Sequence, residues 1–129
     1  MTLKVKIYKI KDFVRFTEAG QVNVDGSKRL IEKVAIAASF HADHNILIDL
    51  RATTIASTSM VDGLELAMYM ARYRSLFTNK IANLVPDDRQ RLVVAERFRA
   101  CLQIEGFDYD FFTDFESANE WLSETSKPN

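Results

Sequence analysis

Asn45-Ile46-Leu47-Ile48-Asp49-Leu50 is a nearly continuous apolar run with a carboxylate near its end. A strand buried on both faces reads this way, and burial on both faces marks parallel sheets covered by helices. Lys80-Ile81-Ala82-Asn83-Leu84-Val85 is a second strand of the same kind, stopped by Pro86. If these two runs lie side by side in one direction, the turns that follow them open onto one rim. In open α/β sheets that rim, outside the carboxyl ends of the strands, is where ligands bind.

Working outward, the period changes around these runs. Leu3, Val5 and Ile7 alternate with Lys4, Lys6 and Tyr8, the pattern of a strand with one wet face. Lys11-Asp12 then offers a turn into Phe13-Val14-Arg15-Phe16-Thr17, so a hairpin is expected to open the domain. From Gly26 to Phe40, Leu30, Val34, Ala37 and Ala38 recur at helical spacing, with Asn23 and Asp25 as alternative caps. A hydroxyl-rich loop from Thr53 to Ser59 leads into a helix over Met60 to Leu76. Its expected core stripe is Met60, Leu64, Ala67, Met68 and Ala71, with Leu66, Met70, Tyr73 and Phe77 widening the apolar arc to one side. Asp87-Asp88 starts a third helix with Val94, Ala95, Phe98, Cys101 and Leu102 inward, and Gly106 ends it. Phe107 to Phe111 reads as an outer strand, and Thr113-Asp114-Phe115-Glu116 as the capping box of a last helix. The expected fold is α/β: a mixed, mainly parallel sheet of about five strands, with an N-terminal antiparallel hairpin and four flanking helices.

Composition sets outer bounds. The chain has 129 residues, 47% of them hydrophobic and 27% charged, which suits one globular core. One domain over residues 1–124 is expected, with a frayed tail at 125–129. Seventeen basic side chains stand against eighteen acidic ones, so the basic excess of a nucleic-acid binder is lacking. The single cysteine, Cys101, cannot form an internal disulfide, and no run approaches the ~18–20 apolar residues of a membrane span. A cytoplasmic location is the expectation.

The candidate binding loop comprises Asp49, Arg51, Thr54, Ser57, Thr58 and Ser59. The three last hydroxyls stand where helix N–H groups lack internal partners, so they either bind an anion or phosphoryl group there or simply cap the helix. Asp49 either positions a ligand hydroxyl or pairs with Arg51. Leu66, Met70, Tyr73 and Phe77 form either a partner surface, the wall of an apolar cavity, or an ordinary helix contact. His41-Ala42-Asp43-His44 offers donors without a recognisable metal spacing, and no metal or cofactor is expected. Arg89, Arg91, Arg97 and Arg99 read as a solvated face. Neither a glycine-rich phosphate loop nor a Gly-x-Ser-x-Gly elbow is present, so nothing points to catalysis.

From Asn45 through Arg51, the hydroxyl-rich loop and its helix, the chain resembles the STAS domain, and more closely its SpoIIAA-like branch. Leu84-Val85-Pro86 and Phe112 to Leu122 carry the same likeness. The resemblance implies a non-catalytic module that binds proteins, nucleotides or apolar small molecules. In signalling members a Ser within Asp-Ser-Ser-Gly, at the start of the second helix, is phosphorylated by an anti-sigma kinase. The matching stretch is Ser57-Thr58-Ser59-Met60, which puts Thr58 at the acceptor place, Ser57 where the pattern has Asp and Met60 where it has Gly. Three functions are therefore expected in order: a regulatory protein-binding module engaging a partner through Arg51–Ser59, a carrier of a small apolar or lipid-like ligand, and a phospho-acceptor relay through Thr58.

Overall fold

The computed structural model describes residues 13–55 and 60–124. Its elements run β1 (Phe13–Val22), α1 (Val24–Phe40), β2 (Asn45–Ile55), α2 (Met60–Ala71), a 3₁₀ turn (Arg74–Leu76), β3 (Ile81–Leu84), α3 (Arg89–Ile104), β4 (Tyr109–Phe112) and α4 (Phe115–Ser123). Among the described residues the sheet has four strands in the order β1-β2-β3-β4, every neighbouring pair parallel. The decisive pairing holds: Ile46 faces Ile81 and Asp49 faces Leu84 across β2 and β3. The expected first strand of the hairpin, Leu3–Ile10, lies outside the described residues, and Phe13–Thr17 belongs to a longer strand that pairs parallel with β2.

Strands taken in sequence order with right-handed crossovers place every crossover helix on the same face. Accordingly, α1, α2 and α3 share one core with Ile46, Ile48, Ile81 and Tyr109, through Val34, Ala38, Ala67, Met70 and Leu102. The opposite face, Leu47, Ala82 and Leu84, is covered by Ala118 and Leu122 of α4. The period-two alternation of β2 and β3 thus sorts each residue onto one of two cores.

That alternation is interrupted once. Thr17 faces Asp49 and Ala19 faces Ala52, so Leu50 and Arg51 together oppose Glu18 in a β-bulge. The backbone groups released there are taken up by side chains: Asp49 Oδ1 accepts from the Arg51 N–H at 3.1 Å, and Thr53 Oγ1 donates to the Leu50 carbonyl at 2.6 Å. The extra residue shifts the parity, so Thr53 and Ile55 point to the same side as Ile48 and Leu50. The strand therefore continues through Thr53 and Thr54, which the sequence reading assigned to a loop.

Helix starts follow side-chain caps. Asn23 accepts from Gly26 N at 2.7 Å, Asp88 from Arg91 N at 3.0 Å and Asp114 from Ser117 N at 2.8 Å. Asp114, one residue after the expected Thr113, is thus the cap of α4. Helix α2 is shorter than expected and turned by about one residue. Its inward residues are Gly63, Leu66, Ala67 and Met70, whereas Leu64 and Met68 are 51% and 54% exposed. Apolar residues surround almost the whole helix, so spacing alone leaves its rotation open.

Candidate functional site: an apolar cavity at the carboxyl end of the sheet

A cavity of about 170 Å³ lies between the sheet and the three helices of the larger core. Its floor is Ile48, Ile81 and Tyr109, and its walls are Leu30 and Val34 of α1, Leu66 and Met70 of α2, and Val94 and Phe98 of α3. Phe77 and Ile81, at the amino end of β3, are buried. Val22 and Ile55, which end β1 and β2, and Ser27 and Gly63, which lie near the starts of α1 and α2, are half-buried lining residues. These residues place part of the lining at the carboxyl end of the sheet, where ligands of open α/β folds bind. The β2 bulge contributes directly, because without it Ile55 would point to the other face.

Three polar side chains besides the Tyr109 hydroxyl interrupt this lining: Ser27, Asn83 and Arg91. Asn83 is 8% exposed and follows Ile81 on the cavity side of β3. Its Nδ2 donates to the Tyr109 hydroxyl at 2.6 Å, while its Oδ1 is buried with no hydrogen-bond partner among the described residues. Turning the carboxamide over exchanges the roles, since the Tyr109 hydroxyl can donate as well as accept. Either way one polar atom of Asn83 has no partner among the described residues. A buried unpartnered amide end costs about 1–3 kcal/mol. Burial also pushes the Tyr109 phenol up from its usual pKa, so the hydroxyl stays neutral.

Arg91 is the second departure from expectation. It was read as part of a solvated face, yet it is 9% exposed and lines the cavity. Its Nη1 donates to the Thr53 carbonyl at 2.7 Å and its Nη2 to Thr53 Oγ1 at 3.0 Å. Burial lowers its pKa, opposed by the charge of Asp88. Arg99, by contrast, is paired with Asp110 at 2.9 Å and with Glu96, and stacks over Phe111.

The residues singled out from the sequence separate into distinct places. Asp49 is 6% exposed, on the α4 side of the sheet, and its carboxylate is occupied. It accepts from Arg51 Nε at 3.0 Å, Arg51 Nη2 at 2.9 Å and Arg15 Nη2 at 3.2 Å. The bonds from Arg51 first, and from Arg15 in addition, hold its pKa down at about 2 against the desolvation that opposes them. Thr54 is exposed on β2, opposite Gln21. Ser57, Thr58 and Ser59 lie outside the described residues. Leu66, Met70 and Phe77 come together as cavity lining, while Tyr73 packs beside that core and meets Tyr69 edge-on at 5.7 Å.

Asn83, Arg91, Tyr109 and Gly63 were missed. For Asn83 a signal existed: it is the one polar residue within an otherwise apolar run from Ile81 to Val85. Arg91 gave none, because it stands in a stretch where arginines recur. Among the described residues no group of three or more His, Cys, Asp or Glu is placed to hold a metal ion, and Asp43 and His44 bond each other at 2.8 Å. No helix of the described residues is long and apolar enough to cross a membrane. Compared with protein-family models, with curated proteins and with solved structures, the chain matches none of them.

Proposed function

We propose that this chain is a binding module for a small, largely apolar ligand held between its sheet and helices α1 to α3. The observation that carries the reading is the Asn83 carboxamide end, unpartnered among the described residues, in the lining of a largely apolar cavity. A stability-driven interior would fill that place with Leu or Val, whereas a ligand hydroxyl, which both donates and accepts, satisfies either amide orientation. An apolar cavity of about 150 Å³ accommodates benzene, so this one suits a single ring or a short branched chain. The test is a titration of isotope-labelled protein with benzyl alcohol, followed through the methyl signals of Ile48, Met70 and Ile81. Saturable shifts confined to cavity residues are expected; unmoved signals at millimolar ligand would overturn the reading.

A second reading, association with another protein, is supported by a different face. Val61, Leu64 and Met68 of α2 are exposed at 73%, 51% and 54%, one helical turn apart. Sedimentation of wild type and a Leu64→Glu, Met68→Glu variant tests self-association through it. A wild type that stays monomeric across the accessible concentration range removes that version. The STAS likeness belongs with both readings, and with it a fifth, antiparallel strand from residues 3–10 beside β1.

A further inference from the structure

We infer that the ligand is an amphipathic carboxylate whose apolar body occupies the cavity and whose anionic end is held by Arg91. The inference rests on the cavity reading above and adds the ligand's charge to it.

The arginines of this chain make the contrast. Arg15, Arg51 and Arg99 are 48%, 39% and 30% exposed in their side chains, and each sits on a carboxylate. Arg91 is far more buried than any of them and has no carboxylate within ion-pair distance among the described residues. Removing a guanidinium from water without a directly paired carboxylate is among the costlier arrangements a fold can hold. The charge of Asp88 acts on the guanidinium from outside ion-pair distance, its Oδ2 capping α3 through the Arg91 backbone N–H at 3.0 Å.

The guanidinium is also held in place. A guanidinium carries five N–H groups, and the two bonds from Nη1 and Nη2 go to one neutral residue, Thr53, brought to this face by the β2 bulge. Thr53 thereby orients the planar fork without neutralising it. Such a fork matches a carboxylate through two parallel bonds. Among the described residues no second Lys or Arg lines the cavity, so one negative charge is what these residues balance, and a phosphate dianion would be left half-compensated. The volume of about 170 Å³ limits the body to about one ring with a short arm.

The deciding experiment compares 3-phenylpropanoate with 3-phenylpropanamide, equal in shape and unequal in charge, by calorimetry and by the Arg91 side-chain Nε–H signal. In the wild type the carboxylate should bind about 10- to 100-fold tighter than the amide and should shift that signal. Arg91→Met should bring the ratio of the two affinities to about 1, and Arg91→Lys should retain part of the preference. If Arg91→Met does not fold, the wild-type ratio and the Nε–H signal still decide. Equal affinities, or a carboxylate that leaves the Arg91 signal unmoved, would overturn the charge assignment and leave the cavity reading standing. If neither compound perturbs the cavity residues, both readings fall.

Discussion

The Asn83 carboxamide and the Tyr109 hydroxyl meet at 2.6 Å on the cavity face, from neighbouring strands two residues out of register. Each is the other's partner, and nothing else in the described chain completes Asn83. Tyr109→Phe should therefore destabilise the protein by about 1–3 kcal/mol, because it leaves the whole carboxamide unsatisfied. The double variant Asn83→Leu, Tyr109→Phe removes both polar groups and should recover to within about 1 kcal/mol of wild type or exceed it. Urea unfolding of wild type, Asn83→Leu, Tyr109→Phe and the double variant closes the cycle; simple additivity of the two single losses would show that the pair is not coupled. The double variant should also bind benzyl alcohol more weakly than wild type, a stability gain at the expense of the site.

Asp49 governs a separate acid transition. Its folded pKa, about 2, lies below the ordinary 3.8, so its stabilisation is present above about pH 4 and is lost as pH falls toward 2. Asp49→Asn keeps an oxygen for the Arg51 N–H but loses the charge. It should be less stable by about 2 kcal/mol at pH 7, with the gap closing between about pH 4 and pH 2. A gap that is unchanged across this range would mean that the bulge, and not the ion pairing, carries the effect.

Gly63 lies near the start of α2 in the cavity lining, and a methyl group added there meets nothing within 4 Å among the described residues. Gly63→Ala should raise stability by about 0.5–1 kcal/mol through the helix backbone alone. Gly63→Leu reaches into the cavity and should abolish ligand-induced methyl shifts without lowering the melting temperature. Undiminished binding in Gly63→Leu would place the ligand elsewhere.

The rotation of α2 is open to the same kind of check. Met70 is 4% exposed and Met68 54% exposed. Met70→Ala should cost about 2 kcal/mol or more, whereas Met68→Ser should stay within about 0.5 kcal/mol of wild type. Similar losses for both would return α2 to the orientation its sequence spacing first suggested.

Much of the frame was legible because its signals are local. The apolar runs at 45–50 and 80–85, Pro86 and the cap-forming stretches at Asn23–Asp25, Asp87–Asp88 and Thr113–Asp114 identify strands and helix starts to within a residue or two without reference to distant residues. Alternation in β2 breaks at Leu50 and Arg51, and a bulge depends on the partner strand as much as on the bulged one, so the extension to Ile55 was hidden. The rotation of α2 was hidden for a different reason: apolar residues on nearly every side give no preferred face.

By itself, then, the sequence determined that two apolar runs would lie parallel under crossover helices and that their ends would share one rim, since burial on both faces and helical spacing are written along the chain. Only the tertiary structure decided that Asn83 would keep an unpartnered atom, that Arg91 would be buried on Thr53 instead of solvated, and that a cavity would remain between them. Those are outcomes of how three helices and a bulged strand fill a shared volume, and packing of that kind is set by contacts between residues far apart in sequence.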